Sequence, residues 1–178
     1  MTWEGCAFQA SDPPRRRASG GTWLALVGFV GLCLLVWGAS GAATASSVRS
    51  WYLSLVRPPG TPPNWLFGPV WTTLYPMVGV SAWLVWRRVD VGIERKRAAL
   101  RLWGWQLLIN AAWAPAFFGL RSTGLGLAII LPLLLAILLT VRAFLPLHRG
   151  AAALLVPYAA WVGYASYLNL GFWWLNRV

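Results

Sequence analysis

Residues 51–86 read WYLSLVRPPGTPPNWLFGPVWTTLYPMVGVSAWLVW, and they join a proline-rich segment to an apolar segment with large aromatic side chains. Its first four prolines, Pro58, Pro59, Pro62 and Pro63, fix backbone dihedrals and lack an N–H, which predicts an extended, stiff loop over residues 57–64. Asn64 is a suitable N-cap, so we expect a helix to begin near Trp65. The residues that then share one helical face are Phe67, Gly68, Trp71, Tyr75 and Ala82. A stiff loop joined to a bulky helical face indicates a binding site.

The composition of the 178-residue chain is that of an integral membrane protein, since 58% of the residues are hydrophobic and 11% are charged. A bilayer core of roughly 30 Å needs about 20 apolar residues per helix. Five stretches meet this requirement, and backbone hydrogen bonding in lipid requires them to be helical. We therefore predict an all-α bundle of five transmembrane helices, with spans at about residues 23–43, 66–86, 100–120, 124–144 and 151–175.

The residues before the first span are polar and basic, and we interpret residues 1–22 as a disordered tail. The apolar run that follows is longer than the central region of a signal peptide, so we expect an uncleaved first span. The membrane domain then comprises residues 23–178. The long outer loop is expected at residues 46–64 and a short turn at residues 87–97.

The net charge of +11 is distributed unevenly between the two sides of the predicted bundle. Eleven basic residues share the side of the amino terminus and four lie on the other side, a bias that places the amino terminus in the cytoplasm and the carboxyl terminus outside. We interpret these residues as partners of anionic headgroups, and not of nucleic acid. Arginine greatly exceeds lysine, which favours a bacterial cell membrane. The eleven are Arg15, Arg16, Arg17, Arg87, Arg88, Arg95, Lys96, Arg97, Arg101, Arg142 and Arg149, and the four are Arg49, Arg57, Arg121 and Arg177.

The predicted spans contain no carboxylate, and the only histidine, His148, lies in a connecting segment. Acid–base pairs, a Ser-His-Asp arrangement and a metal cluster are therefore not expected within the membrane. Ion-coupled transport is also disfavoured, because proton-coupled carriers place an ionisable group at the midplane.

Aromatic and amide side chains occupy these spans instead. Gln106, Asn110, Trp113 and Phe117 share a face of the third span, whereas Trp161, Ala165, Leu168 and Asn169 share a face of the fifth. Amides are costly in hydrocarbon unless they are paired, so hydrogen bonds between helices are the favoured role of Gln106, Asn110 and Asn169, with ligand contacts as the alternative. The tryptophans expected at the membrane interfaces are Trp23, Trp37, Trp86, Trp103, Trp105 and Trp174. Trp71, Trp113 and Trp161 lie deeper, as core filler or as the wall of a ligand cavity.

Five segments resemble the translocator protein, or tryptophan-rich sensory protein, family of five-helix membrane proteins (the TspO/MBR family). They are WYLSL (residues 51–55), PPNW (62–65), GPVWTTLY (68–75), QLLINAAWAPAFFG (106–119) and PYAAWVGYASYLNLGFWWLN (157–176). They occur in family order over about residues 22–177.

The resemblance implies a bundle, usually dimeric, with a pocket that opens towards the first loop. In the family this pocket binds porphyrins such as protoporphyrin IX, sterols and benzodiazepine-type ligands, and no cofactor or metal is required. The matching positions are Trp65, Phe67, Gly68, Val70, Trp71, Asn110, Trp113, Trp161, Ala165 and Leu168, and Tyr75 lies on the same face as Trp71. In some bacterial members, tryptophans matching Trp71 and Trp161 support light- and oxygen-dependent porphyrin degradation, which would make these two residues catalytic.

Two departures from the family pattern alter what is expected. Gly60 replaces a loop aromatic, which predicts a lid that closes less tightly. The sterol motif of the last helix is not reproduced, since Tyr167 is ten positions from Arg177; Val48, Tyr52 and Arg57 meet the same loose pattern in the first loop.

The leading hypothesis is a membrane receptor or sensor that binds protoporphyrin IX or haem in a pocket walled by the second, third and fifth spans. The alternatives are a photo-oxidative porphyrin-degrading enzyme and a carrier of tetrapyrroles or lipids. The expected partners are a hydrophobic small molecule, membrane lipid and a second copy of the chain. Ala111, Ala112, Ala114 and Ala116 form a small-residue surface suited to close packing.

Overall fold

The computed structural model describes residues 20–177, which form helices and short connections with no β-strand in that range. Residues 1–19 of the predicted tail lie outside the described residues. The helices are α1 (Gly20–Arg49), α2 (Trp51–Ser54), α3 (Asn64–Trp86), α4 (Ile93–Ala114), α5 (Thr123–Phe144) and α6 (Arg149–Leu175), and a π-helical turn (Pro115–Gly119) follows α4.

The five long helices form a ring in the order α1, α3, α6, α5, α4, which closes where α4 meets α1. Side chains from all five elements meet in one apolar core. Its fully buried members include Val85 of α3, Ile137 and Phe144 of α5, and Leu155 and Tyr158 of α6. The all-helical part of the sequence prediction is therefore confirmed.

Helix α1 is longer than predicted at both ends. Residues 20–22, assigned to the tail, and residues 46–49, assigned to the outer loop, are helical. Hydroxyls near the end of α1 bond back to carbonyls one turn earlier, Thr44 Oγ1 to Ser40 O at 2.7 Å and Ser50 Oγ to Ser46 O at 2.9 Å. These bonds satisfy local polar groups within the helix, so the small polar residues do not end it.

Two predicted helix ends need correction. Pro63 occupies the N-cap position of α3, and Asn64 is the first helical residue, because proline supplies the extended backbone that precedes a helix. The third span does not run as regular α-helix to residue 120. Pro115 lacks an N–H, and α4 widens there into a π-turn that closes with Leu120 N donating to Pro115 O at 2.8 Å.

Three helices are long and apolar enough to cross a membrane: α1, α5 and α6. The share of buried residues in their apolar windows is 6% in α1, 28% in α5 and 44% in α6, so much of their apolar surface faces outward. Such a surface needs lipid or another apolar partner. The structure is that of an integral membrane protein. Three spans are supported by length and apolar composition, two fewer than the five predicted from the sequence.

The prediction of an interfacial position is wrong for one of the six tryptophans, Trp103. The side chain of Trp103 is 5% exposed, and its indole Nε1 donates to the carbonyl oxygen of Val78 at 3.0 Å. This hydrogen bond between α4 and α3 satisfies the indole N–H, so Trp103 can lie in the core. Its sequence position near the end of a predicted span had indicated the headgroup region instead.

Candidate functional site

The structure contains a largely apolar cavity of about 200 Å³ between α1, α3 and α4. The short helix α2 and the π-turn complete its wall. Helix α1 contributes Trp37, Ser40, Gly41, Thr44 and Val48, α2 contributes Tyr52, α3 contributes Asn64, Phe67, Gly68, Trp71 and Tyr75, and α4 with the turn contributes Asn110, Trp113, Ala114 and Phe118.

Six of the eleven residues predicted for the site line this cavity. Phe67, Gly68, Trp71 and Tyr75 reach it from one face of α3, as their spacing requires, and Asn110 and Trp113 reach it from α4. Trp71 and Tyr75 form a tilted aromatic pair with ring centroids 5.3 Å apart.

The other five predicted residues lie elsewhere. Val70 and Trp161 line a separate open groove of about 440 Å³ between α3 and α6. Ala165 packs against the main core, and Leu168 is buried in a cluster with Tyr52, Phe117 and Phe172. Trp65 is 71% exposed.

The walls of this cavity differ from those predicted for the ligand pocket. The cavity is bounded by the first, second and third long helices, and the fifth contributes none of its lining residues. The Phe67 ring lies against Trp161, with centroids 5.8 Å apart, and so separates the cavity from the groove on the α6 side. Periodicity along one helix identifies a face but does not show which neighbour that face meets.

The contribution of α1 was missed by sequence reasoning, although a signal was present. The small-residue run at positions 38–43 allows a close approach to the backbone, and Ser40 and Gly41 of this run form the cavity wall. A Cβ added at Gly41 or at Gly68 would meet no atom within 4 Å. Both glycines thus border open space. Trp37, predicted at the interface, also lines the cavity.

A hydrogen-bonded chain of amides and phenols runs beside the cavity. Tyr75 OH donates to Asn110 Oδ1 at 3.1 Å, Asn110 Nδ2 donates to Tyr158 OH at 2.5 Å, and Tyr158 OH donates to Gln106 Oε1 at 3.0 Å. Three helices are joined in this way. The preferred interpretation of Gln106 and Asn110 as interhelical hydrogen-bonding groups is confirmed.

Asn169 and Trp113 make a further link, between α6 and α4. Trp113 Nε1 approaches Asn169 Oδ1 at 3.4 Å, while Asn169 Nδ2 donates to Ala165 O at 2.8 Å. The amide of Asn169 is thereby confirmed as an interhelical group, and it orients the Trp113 indole at the cavity wall.

The proline-rich segment is fastened to the last helix. Tyr164 OH donates to Gly60 O, and Tyr167 OH donates to Pro59 O at 3.1 Å. Gly60 has φ +82°, a left-handed conformation that glycine adopts without steric cost. The residue that departs from the family pattern therefore has a local structural reason.

Closer to the chain terminus the same segment is held by Asn176, which accepts from Val56 N at 2.9 Å and donates to Val56 O at 3.0 Å. A Cβ added at Gly171 would lie 2.5 Å from Pro58 Cβ, so glycine is required for the loop to lie this close to α6. The loop is held at several points along α6.

The cavity lining contains no charged side chain. Tyr52 is buried at the outer end of the cavity. Burial raises the pKa of its phenol, while the nearby Arg57 guanidinium lowers this pKa. The guanidinium lies 5.6 Å from the Tyr52 ring centroid. The site can therefore accommodate a flat apolar molecule, with a positive charge close to its outer end.

Comparison with known proteins agrees with this architecture. The model of the TspO/MBR family matches residues 29–175. The chain is 40% identical over 158 residues to the tryptophan-rich protein TspO of Chlorobaculum tepidum, covering 86% of this chain and 96% of that protein. It is 35% identical to the translocator protein of Bos taurus over 88% of this chain and 92% of that protein, and 37% identical to the protein CrtK of Rhodobacter capsulatus over 78% and 85%.

Proposed function

This chain belongs to the TspO/MBR family of membrane proteins, and from that premise we propose that it is a receptor or sensor for a tetrapyrrole such as protoporphyrin IX or haem. The observation that supports this proposal most directly is the uncharged cavity walled by Trp71, Trp113 and Tyr75. Flat macrocycles stack on aromatic faces, and desolvated aromatic contacts of this kind stabilise a complex beyond the burial of area alone. Arg57 beside Tyr52 would attract the carboxylates of a porphyrin.

The size of the cavity limits how a tetrapyrrole could enter. A volume of about 200 Å³ lies below the roughly 300–1,000 Å³ of most small-molecule pockets. Additional space exists on the other side of Phe67, in the groove of about 440 Å³. We propose that displacement of the Phe67 side chain admits the remainder of the macrocycle.

The position of Trp161 bears on the alternative of photo-oxidative degradation. That reaction would require Trp71 and Trp161 beside one macrocycle. Trp71 lines the cavity and Trp161 lines the groove, so both would contact the same ligand once Phe67 is displaced. Degradation therefore stays the alternative, and binding, which it requires, is the function that we propose. Sterol binding and a carrier role gain no specific support from this geometry.

We also propose that α3 and α4 cross the bilayer, giving five spans with the amino terminus in the cytoplasm of a bacterial cell. With 23 and 22 residues, these helices are roughly 34 and 33 Å long, which is enough for a core of roughly 30 Å. A homodimer remains a prediction. The four alanines expected to form a packing surface for the homodimer do not lie on a common outer surface, since Ala114 lines the cavity and Ala116 is buried.

Filling the cavity tests the proposed function. Gly41→Leu should weaken protoporphyrin IX binding at least tenfold, because Gly41 lines the cavity and a Cβ there would meet no atom within 4 Å, which leaves room for the larger side chain to enter the cavity. Removing a glycine from a helix also favours folding by about 1 kcal/mol, so loss of structure is not expected. Saturable quenching of tryptophan emission measures the binding.

Gly104→Leu is the matched control, since Gly104 has equally open surroundings but does not line the cavity. Trp161→Phe should also weaken binding, though less than Gly41→Leu, because the proposed ligand reaches the groove that Trp161 lines and phenylalanine keeps an aromatic ring there. Equal quenching by the wild type and Gly41→Leu would show that the cavity is not the site.

A further inference from the structure

A second group of polar side chains lies at the other end of α3 from the proline-rich loop. There, a cavity of about 540 Å³ is formed where the α5–α6 connection meets the end of α3. Its lining residues are Arg88, Leu145, Pro146, Leu147, His148 and Arg149. None of these residues belongs to the cavity between α1, α3 and α4.

Arg88 is held in place at the edge of this second cavity. Its Nε donates to Asp90 Oδ1 at 2.6 Å, its Nη2 donates to Asp90 Oδ2, and its Nη1 donates to Leu147 O at 2.6 Å. A guanidinium has five N–H donors, so two remain without a partner among residues 20–177. The side chain is therefore fixed while it retains donors for a ligand.

His148 and Arg149 add further donors. Ala151 N donates to His148 Nδ1 at 3.1 Å, which places the proton of the neutral imidazole on Nε2, where it can be donated. Arg149 is exposed, and within the described part of the chain it forms no ion pair. Asp90 offsets the charge of Arg88, so Arg149 supplies the excess positive charge.

We propose that this cavity binds the phosphate group of an anionic phospholipid. It lies where α5 ends at Phe144 and α6 begins at Arg149, the level at which a membrane helix leaves the hydrocarbon core. Apolar walls adjoin the donors, since Leu145 is 54% exposed and Pro146 and Leu147 complete the lining. Cationic groups beside apolar surface suit a lipid, whose phosphate and acyl chains lie side by side, better than a free phosphate ion.

The test compares lipids on the purified full-length protein in a neutral detergent. Added phosphatidylglycerol should raise the midpoint of thermal unfolding, and phosphatidylcholine should not. Arg149→Gln should require about fivefold more phosphatidylglycerol for the same rise in the unfolding midpoint, because one basic group near an anionic lipid surface contributes about 1 kcal/mol. Arg149→Lys should retain most of the affinity.

Arg142→Gln is the matched control, because Arg142 is exposed at the same end of the bundle but does not line the cavity. An equal loss in Arg142→Gln and Arg149→Gln would overturn the proposal in favour of diffuse surface charge. The same rise with inorganic phosphate alone would assign the cavity to a free anion. Absence of any rise with phosphatidylglycerol would also contradict the lipid site.

Discussion

Among single residues, Asn110 links the cavity between α1, α3 and α4 to the core of the bundle. Its side chain lines the cavity and bonds to Tyr75 on α3 and Tyr158 on α6. Asn110→Ala should lower the free energy of unfolding by about 1 kcal/mol, near the upper part of the range for hydrogen bonds between membrane helices. Unfolding in a denaturing detergent measures this change.

A double-mutant cycle separates the bond from the loss of packing. Tyr158→Phe should cost less in the Asn110→Ala protein than in the wild type, since one of its partners is already absent. Strictly additive costs would mean that the two side chains do not interact.

At the scale of elements, the proline-rich segment and α6 behave as one structural unit. Gly60→Ala places a side chain at φ +82°, which costs about 1–2 kcal/mol and should release the segment from Tyr164 and Tyr167. Hydrogen exchange at residues 55–63 should become faster. Gly163→Ala, a substitution on α6 with open space around the new Cβ, is the control. Unchanged exchange in Gly60→Ala would contradict the role given to this glycine.

The connection between α3 and α4 carries an acid-sensitive ion pair. Hydrogen bonds from the Arg88 side chain, with a backbone contribution, lower the pKa of Asp90 from 3.8 to about 2. Because the folded pKa is lower than the unfolded one, the stabilisation is complete above about pH 4 and is lost as the pH falls through 2. A carbon NMR titration of the Asp90 carboxyl group should show a midpoint near 2. A midpoint at 3.8 would show that the pair does not form in solution.

For the protein as a whole, the proposed five spans would place the two ends of α3 on opposite sides of the membrane. A protein without native cysteines (Cys6→Ser, Cys33→Ala) provides the background for two exposed probes, Val56→Cys and Val89→Cys. An impermeant maleimide applied to intact cells should label position 56 and reach position 89 only after permeabilisation. Labelling of both positions from outside would rule out the proposed topology.

The helical character of the chain and the aromatic face of α3 were predictable because they follow from composition and from spacing along one helix. The same spacing does not show which helices pack against each other. The sequence prediction therefore includes Trp161 in the site and omits α1, whereas the cavity is lined by α1 and not by Trp161. Trp103 was misplaced for a related reason: its carbonyl partner, Val78, belongs to another helix. Gly60 could be recognised as unusual, but its positive φ and its bond to Tyr164 depend on how the loop meets α6.

The cavity lies on the least buried side of the bundle. At Gly79, α3 contacts α1 so closely that a Cβ there would lie 2.7 Å from Val30 Cα, whereas the cavity begins further along α1, at Trp37. Of the three apolar helices, α1 also has the smallest buried share, 6%, against 28% in α5 and 44% in α6. Only one helix, itself largely outward-facing, therefore stands between this side of the cavity and the surrounding lipid.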